Sequence, residues 1–495
     1  MFKKSVLFLV LLVLPFAMVS AQDPASTPDP MAMDDSSMMM DGVPSVTVSD
    51  QISLDGTVLI DSAYSASAGF VVIHIDNGGA PGPVIGQRSI NAGWNFNIAI
   101  DIAASQATPM MFAMLHLDDC AAGVYEFGTV AGCDSPVAVD GAVVTPAFNV
   151  AIINVFDQPY SDAGIGFTSA TIPVDGWMVI HSEANGGPGP VLGQSQISAG
   201  TSSVTVIVAA EGRTDNVWPM LHIDDCAIGT YEFGTVEGCD APVIVDGAVA
   251  TTQMTTVSSA RVADQVVIHG DNAPEGAMMM MMDAPAVMAK SVVSVGPGFL
   301  VIHTEADGAP GPVAGVAAVS DGLNVNVNIV LDMNAPTPNL WPMLHVDDCA
   351  VGTYEFGTVA GCDAPVRVND AVVTFPISAA PSMTFSDQAL EMHDDGEMNL
   401  HIDSALIDAH GWLVIHSSAD GAPGPVLNQY PLLSGNNTGI EIAVDPAAAG
   451  AQVFPMMHYD TCAMGVYEFG IVEGCDSPVF VAEAVVVAPL AILSE

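Results

Sequence analysis

Positive charge is almost missing from this chain. Its 495 residues include 7 Lys and Arg against 56 Asp and Glu, a formal net charge of −49 at pH 7. Beyond Lys3 and Lys4, the basic residues are Arg88, Arg213, Arg261, Lys290 and Arg367. Binding phosphate needs clustered Lys and Arg, so the surface excludes nucleic acid and anionic membranes as partners. Long apolar runs are also missing after the N-terminus. Ala484–Leu493 is interrupted by Pro489 and is too short for a span, which needs about 18 residues or more. It reads as a last strand. Helical spacing and capping signals are absent, so helical content near zero is expected. There is no G-x-S-x-G, no H-E-x-x-H and no glycine loop leading into a helix, so no enzyme signature stands out. Asp118 and Asp119 are adjacent; in a strand they point to opposite faces and form no acid/base pair.

No cysteine stands outside one repeated arrangement. Four times the chain carries a Met, then His, Asp and Cys at alternating positions, then twelve residues and a second Cys followed by Asp. The pairs are Cys120 with Cys133, Cys226 with Cys239, Cys349 with Cys362 and Cys462 with Cys475. Two cysteines per repeat at fixed spacing in an exported chain predict one disulfide per repeat. A metal-thiolate site would need zinc-like spacing, which is missing.

The N-terminus has the marks of a signal peptide. Lys3 and Lys4 precede the apolar stretch Val6–Phe16, and Val19-Ser20-Ala21 ends it with a small-x-small pattern. This predicts export, no membrane insertion after cleavage and no lipoprotein cysteine. The resulting organisation is a signal peptide (1–21), a disordered Met/Asp/Pro-rich segment (22–44) and four repeats (45–148, 149–254, 255–377 and 378–495). Each repeat opens with Asp-Gln: Asp50-Gln51, Asp157-Gln158, Asp264-Gln265 and Asp387-Gln388. The third carries a Met-rich insertion at about 270–288, expected at a hairpin tip.

Within a repeat the pattern is all-β. Val/Ile-rich runs such as Phe70–His74 alternate with Gly/Pro turns such as Gly78–Pro83. Leu323, Val325, Val327 and Ile329 are expected on a core face, with the intervening asparagines in water. The Tyr-Glu-Phe-Gly stretch and an Ala-Val-Val stretch are read as further strands. About seven short strands per repeat predict four tandem antiparallel β-sandwiches, Ig-like or cupredoxin-like, each with one disulfide. Short linkers predict a rod of four beads.

The repeat resembles a domain family of unknown function found, often in tandem, in exported and surface proteins of archaea and bacteria. The residues that carry the resemblance are Gly411-Trp-Leu-Val-Ile-His416, Pro423-Gly-Pro-Val426, Trp341-Pro-Met-Leu-His-Val-Asp347 and Gly352-Thr-Tyr-Glu-Phe-Gly357. The resemblance covers most of residues 45–495 and implies an extracellular β-domain without implying an activity.

Two histidines recur per repeat: His74 and His116, His181 and His222, His303 and His345, His416 and His458. If their strands are neighbours, two imidazoles and a methionine converge, a set suited to copper. Otherwise they are core histidines bonded to backbone. Met31–Met40 and the run Met278, Met279, Met280, Met281 and Met282 add soft thioether ligands for copper or silver. Calcium is a weaker candidate, because Cys349 and Val351 occupy ligand positions in the loop from Asp347 to Glu355. Trp177, Trp341 and Trp412 are read as core residues. The expected function is a non-enzymatic secreted or cell-surface scaffold, structural or adhesive, with partners in the cell envelope or outside it. The alternative is an extracellular copper- or silver-binding protein.

Overall fold

The structure is a computed structural model that describes residues 42–274, 285–332, 337–392 and 397–493. The signal peptide, the Met31–Met40 tract and Met278–Met282 lie outside the described residues.

The first repeat shows how the sequence makes the fold. Its strands are β1 (Ser45–Thr47), β2 (Gln51–Ser53), β3 (Thr57–Ser65), β4 (Gly69–Asp76), β5 (Pro81–Ile90), β6 (Gly93–Asp101), β7 (Met110–Leu117), β8 (Ala138–Val139), β9 (Ala142–Val143) and β10 (Ala147–Ile153). One sheet has the order β1-β3-β6, and the facing sheet runs β5-β4-β7-β10. Alternation sends Val58 and Ile60, Val71 and Ile73, and Met111, Ala113 and Leu115 into the core between the sheets. The other repeats reproduce the arrangement: in the third, Ala309–Val319, Gly298–Ala306, Asn339–Val346 and Ile377–Ser378 form the four-stranded sheet. The chain is therefore four tandem β-sandwiches. Helix is confined, among the described residues, to the 3₁₀ turn Ala104–Gln106 and the short helix Pro446–Ala449.

The Asp-Gln pairs fasten the two sheets together. Gln51 exchanges two hydrogen bonds with Leu59 of β3, while Asp50 accepts the Asn149 N–H of β10. Asp264 with Ser378 and Gln265 with Met288 repeat this in the third repeat. β2 pairs with β10 in parallel, and Gln388 makes a parallel bridge to Ile492 in the fourth repeat; both depart from the antiparallel expectation.

Three further expectations are corrected. Tyr125–Gly128 and its counterparts form turns within the disulfide loop, because Glu126 and Asp118 draw the local amides into short hydrogen-bonded turns. The Ala-Val pairs make only two-residue hairpins such as β8–β9. In the strand Gly322–Val330 the alternation breaks: Asn326 takes a left-handed φ of 52°, which Asn tolerates. The ladder skips Asn326 without a change of register, and Val327 and Ile329 stay inward while Leu323 and Val325 turn outward.

The repeats are not beads on a rod. β10 passes without interruption from the first sandwich into the second, where Ile152 and Ile153 pair with Thr171 and Ala170. The first and fourth repeats touch: Tyr430 packs on Phe96 with ring centres 5.6 Å apart, Leu433 joins the first repeat's core, and Arg88 donates to the Ser434 carbonyl. A left-handed Asn97 (φ 48°) ends the inward alternation there, leaving Phe96 as apolar surface for the fourth repeat to cover. Residues flanking the expected hairpin tip also dock on the fourth repeat. His269 meets Asp408 at 3.0 Å, Asn272 donates to the Pro478 carbonyl at 2.9 Å, and Ala273 enters that repeat's core.

Candidate functional site

The outer face of each four-stranded sheet carries a second buried cluster. β4 and β7 are neighbours, with Phe70 opposite His116, Val72 opposite Met114 and His74 opposite Phe112. These residues point away from the core described above, yet His116 is fully buried and His74 nearly so. The cover is the loop closed by the Cys120–Cys133 disulfide. Phe127 meets the His116 ring edge-on at 4.9 Å, and Tyr125 meets it at 5.4 Å. The disulfides Cys226–Cys239, Cys349–Cys362 and Cys462–Cys475 close the same loop in the other repeats.

The two imidazoles of each repeat converge. The pairs His74–His116, His181–His222, His303–His345 and His416–His458 have ring centres 5.9, 5.7, 5.9 and 5.9 Å apart, with planes within 20° of parallel. Register puts Met114, Met220, Met343 and Met456 in the row between them.

Backbone carbonyls anchor both rings. His74 Nδ1 donates to Gly82 O at 2.7 Å, and His181, His303 and His416 donate to Gly189, Gly311 and Gly424 at 2.8 Å. A bulge in the β4–β5 pairing at Ile73/His74 accompanies this turn of the ring. The second histidines, His116, His222, His345 and His458, donate at 2.7 Å to the carbonyls of Asp134, Asp240, Asp363 and Asp476. A carbonyl only accepts, so every Nδ1 carries the proton and every neutral ring keeps its lone pair on Nε2. All eight Nε2 atoms are buried and have no hydrogen-bond partner. Burial holds His116, His181 and His345 below the ordinary histidine pKa and brings His222 and His458 down to about 4.

The aspartate after the second cysteine organises the loop. Asp363 adopts φ 51°, which aims its carbonyl at His345, and its carboxylate accepts the Asp348 and Glu355 amides. Asp347 accepts from Gly352 N and Glu355 from Ala350 N, so the proposed calcium loop directs carboxylates at its own backbone. Asp134, Asp240, Asp363 and Asp476 went unrecognised as anchors in the sequence, as did the Pro-Gly-Pro carbonyls. The available signal was their recurrence at fixed distances from the histidines.

Among the described residues, the clusters of three or more potential His, Cys, Asp or Glu ligands are Cys120–Glu126–Cys133, Asp225–Cys226–Cys239, Asp348–Cys349–Cys362 and Cys462–Glu468–Cys475. Their sulfurs are bound in disulfides, so none offers a thiolate. Trp177 and Trp412 are buried on the histidine-bearing face, edge-on to Tyr231 and Tyr467. No described helix is long and apolar enough to cross a membrane.

Among solved structures, the tetra-tandem repeat in the extending region of a large adhesion protein matches at 13% identity, covering 91% of this chain and all of that one, with a TM-score of 0.15. Trypsin-activated alpha-2-macroglobulin from Escherichia coli matches at 10% identity over 89% of this chain and 30% of its own, with a TM-score of 0.17. Salmonella alpha-2-macroglobulin reacted with methylamine matches at 9% identity over 91% and 31%, with a TM-score of 0.14. This chain thus spans about a third of those macroglobulins, and at such TM-scores the likenesses bear no functional weight. No curated protein matches. The family described as Domain of unknown function (DUF7282) matches residues 44–151, 151–258, 277–379 and 381–492, and with nearly the whole chain so covered, this protein belongs to that family as four tandem copies of its domain.

Proposed function

We propose that the protein is a non-enzymatic scaffold of the cell surface or extracellular space, a structural or adhesive element whose repeats act as one body. The observation that carries this reading is the way the repeats are joined. Three of the five basic residues beyond the N-terminal lysines bridge different repeats: Arg261 to Asp157, Lys290 to Asp55, and Arg88 to Ser434. A strongly acidic chain that places its scarce cations at joints resists separation of its parts. Disulfides in every repeat suit an oxidising compartment, and the apolar N-terminal stretch after Lys3 and Lys4 supplies the export signal.

Protease treatment of intact cells and thiol counting on the recovered protein test the reading. Cleavage by external protease together with no free thiols would support it. A protein shielded inside the cell, or one carrying eight free thiols, would overturn it.

A further inference from the structure

Eight buried imidazole nitrogens without partners are costly, because each loses its hydration with no hydrogen bond in return. The scaffold reading gives them nothing to do. Their geometry is that of ligands. A metal-binding histidine usually donates its other ring N–H to a carbonyl or carboxylate, which fixes its tautomer and orientation. Each of the eight rings does this through Nδ1. Two imidazoles sharing one ion through nitrogens at about 2.0 Å set their ring centres roughly 6 Å apart. The four pairs stand at 5.7–5.9 Å.

The donor set selects the ion. No third His, Cys, Asp or Glu atom clusters with any pair among the described residues, so a four-coordinate zinc site is not assembled. The residue in the row between the imidazoles is methionine in all four repeats, and a thioether is a soft ligand that favours Cu(I). Two neutral imidazoles with one thioether satisfy a monovalent d¹⁰ ion at low coordination number. The net charge of −49 draws cations to the surface.

We propose that each repeat binds one Cu(I) ion between the Nε2 atoms of its histidine pair, with the intervening methionine as third ligand, beneath the disulfide-closed loop. The pair His303 and His345 with Met343 typifies the four sites. This assignment stands independently of the scaffold reading.

The test is anaerobic titration of the full chain with Cu(I) against a chromophoric chelator, repeated with Ag(I) as an air-stable probe. Four ions per chain are expected, and they should persist when the methionines of Met31–Met40 and Met278–Met282 are replaced by serine. Binding that vanishes with those tracts overturns the proposal, as does no binding by the intact chain. His303→Gln is expected to lower the count to three, and Met343→Leu to weaken one site at least tenfold. An unchanged count and affinity in both variants overturns the assignment. Nitrogen NMR of the unmutated chain gives a readout independent of variant folding. Ag(I) must shift the Nε2 resonances of the eight paired histidines, and shifts confined to methionine methyl groups overturn the proposal.

Discussion

Arg261 donates through Nε and Nη2 to the two carboxylate oxygens of Asp157, at 2.7 and 2.6 Å, across the joint between the second and third repeats. Asp157 is buried and also accepts the Thr255 amide at 3.0 Å, so the same carboxylate fastens the second repeat's last strand. Arg261→Ala leaves that carboxylate without its cation. The expected loss is roughly 2 kcal/mol, below the value for a fully buried pair because the arginine is half exposed. Arg261→Lys should restore only part, since a point charge replaces a planar fork. Denaturant unfolding of the three proteins measures this, and an unchanged midpoint for Arg261→Ala would refute the role.

Acid should loosen the repeats through their histidines. Burial brings His222 and His458 down to about 4 from the ordinary 6.5. Between those values the unfolded chain binds protons that the folded chain refuses, so stability falls as pH drops from about 6.5 towards 4. Asp460 opposes this in the fourth repeat. Burial pushes its carboxyl up to about 7, so its contribution is full below about 3.8 and is lost as pH rises through 7. Asp460→Asn is therefore expected to steepen the acid loss in that repeat. Unfolding midpoints measured from pH 7.5 to 4 check both signs.

His410 reports on the contact between the first and fourth repeats. Burial, reinforced by Arg88 nearby, brings it down to about 4, and its Nδ1 accepts the Ser434 amide at 3.2 Å. Protonation would remove that acceptor and set a second positive charge beside Arg88. Small-angle scattering is expected to show the molecule expanding between pH 6 and 4, with Arg88→Gln expanding it already at pH 7. A profile that stays constant in both cases would argue against this contact in solution.

Opening one disulfide should uncover one histidine pair. Cys349→Ser with Cys362→Ser is expected to cost about 3 kcal/mol on the chain-entropy account and to free Phe356 and Tyr354 from the His345 ring. Near-ultraviolet circular dichroism and hydrogen exchange in the third repeat follow the change. Retained protection across the loop would show that the lid holds without its bridge.

One glycine permits the strand that carries the first histidine. A Cβ at Gly176 would stand 2.2 Å from the His222 carbonyl oxygen, a backbone atom with little room to yield. Gly176→Ala is expected to cost at least 1–3 kcal/mol, the usual range for overpacking. A melting temperature equal to that of the unmutated protein would contradict the close approach.

The fold was legible because repetition let each strand be read four times. The alternation of Met343, Leu344 and His345 correctly separated outer face from core, since a strand admits only two faces. Features set by one residue's backbone were not legible. Asn326 reverses the facing of Leu323 and Val325 through a left-handed φ, which composition does not reveal. Tyr354 and Phe356 alternate like strand residues, but the Glu355 amide between them donates to the Asp363 carboxylate and the Ala350 amide to the Glu355 carboxylate, acceptors several positions away. The rod expectation failed because linker length says how closely neighbours follow, whereas Phe96 and Tyr430 are joined across most of the chain.

β10 gives the boundary between the first two repeats an unusual character. Its amides are divided between two sandwiches, with Phe148 facing Met111 in one and Ile153 facing Ala170 in the other. A crease therefore has no place to form there, because bending the molecule at that point would mean tearing a ladder. The first two repeats should transmit tension as a single stiff plank, and any articulation must fall at the three-residue connections 256–258 and 379–381.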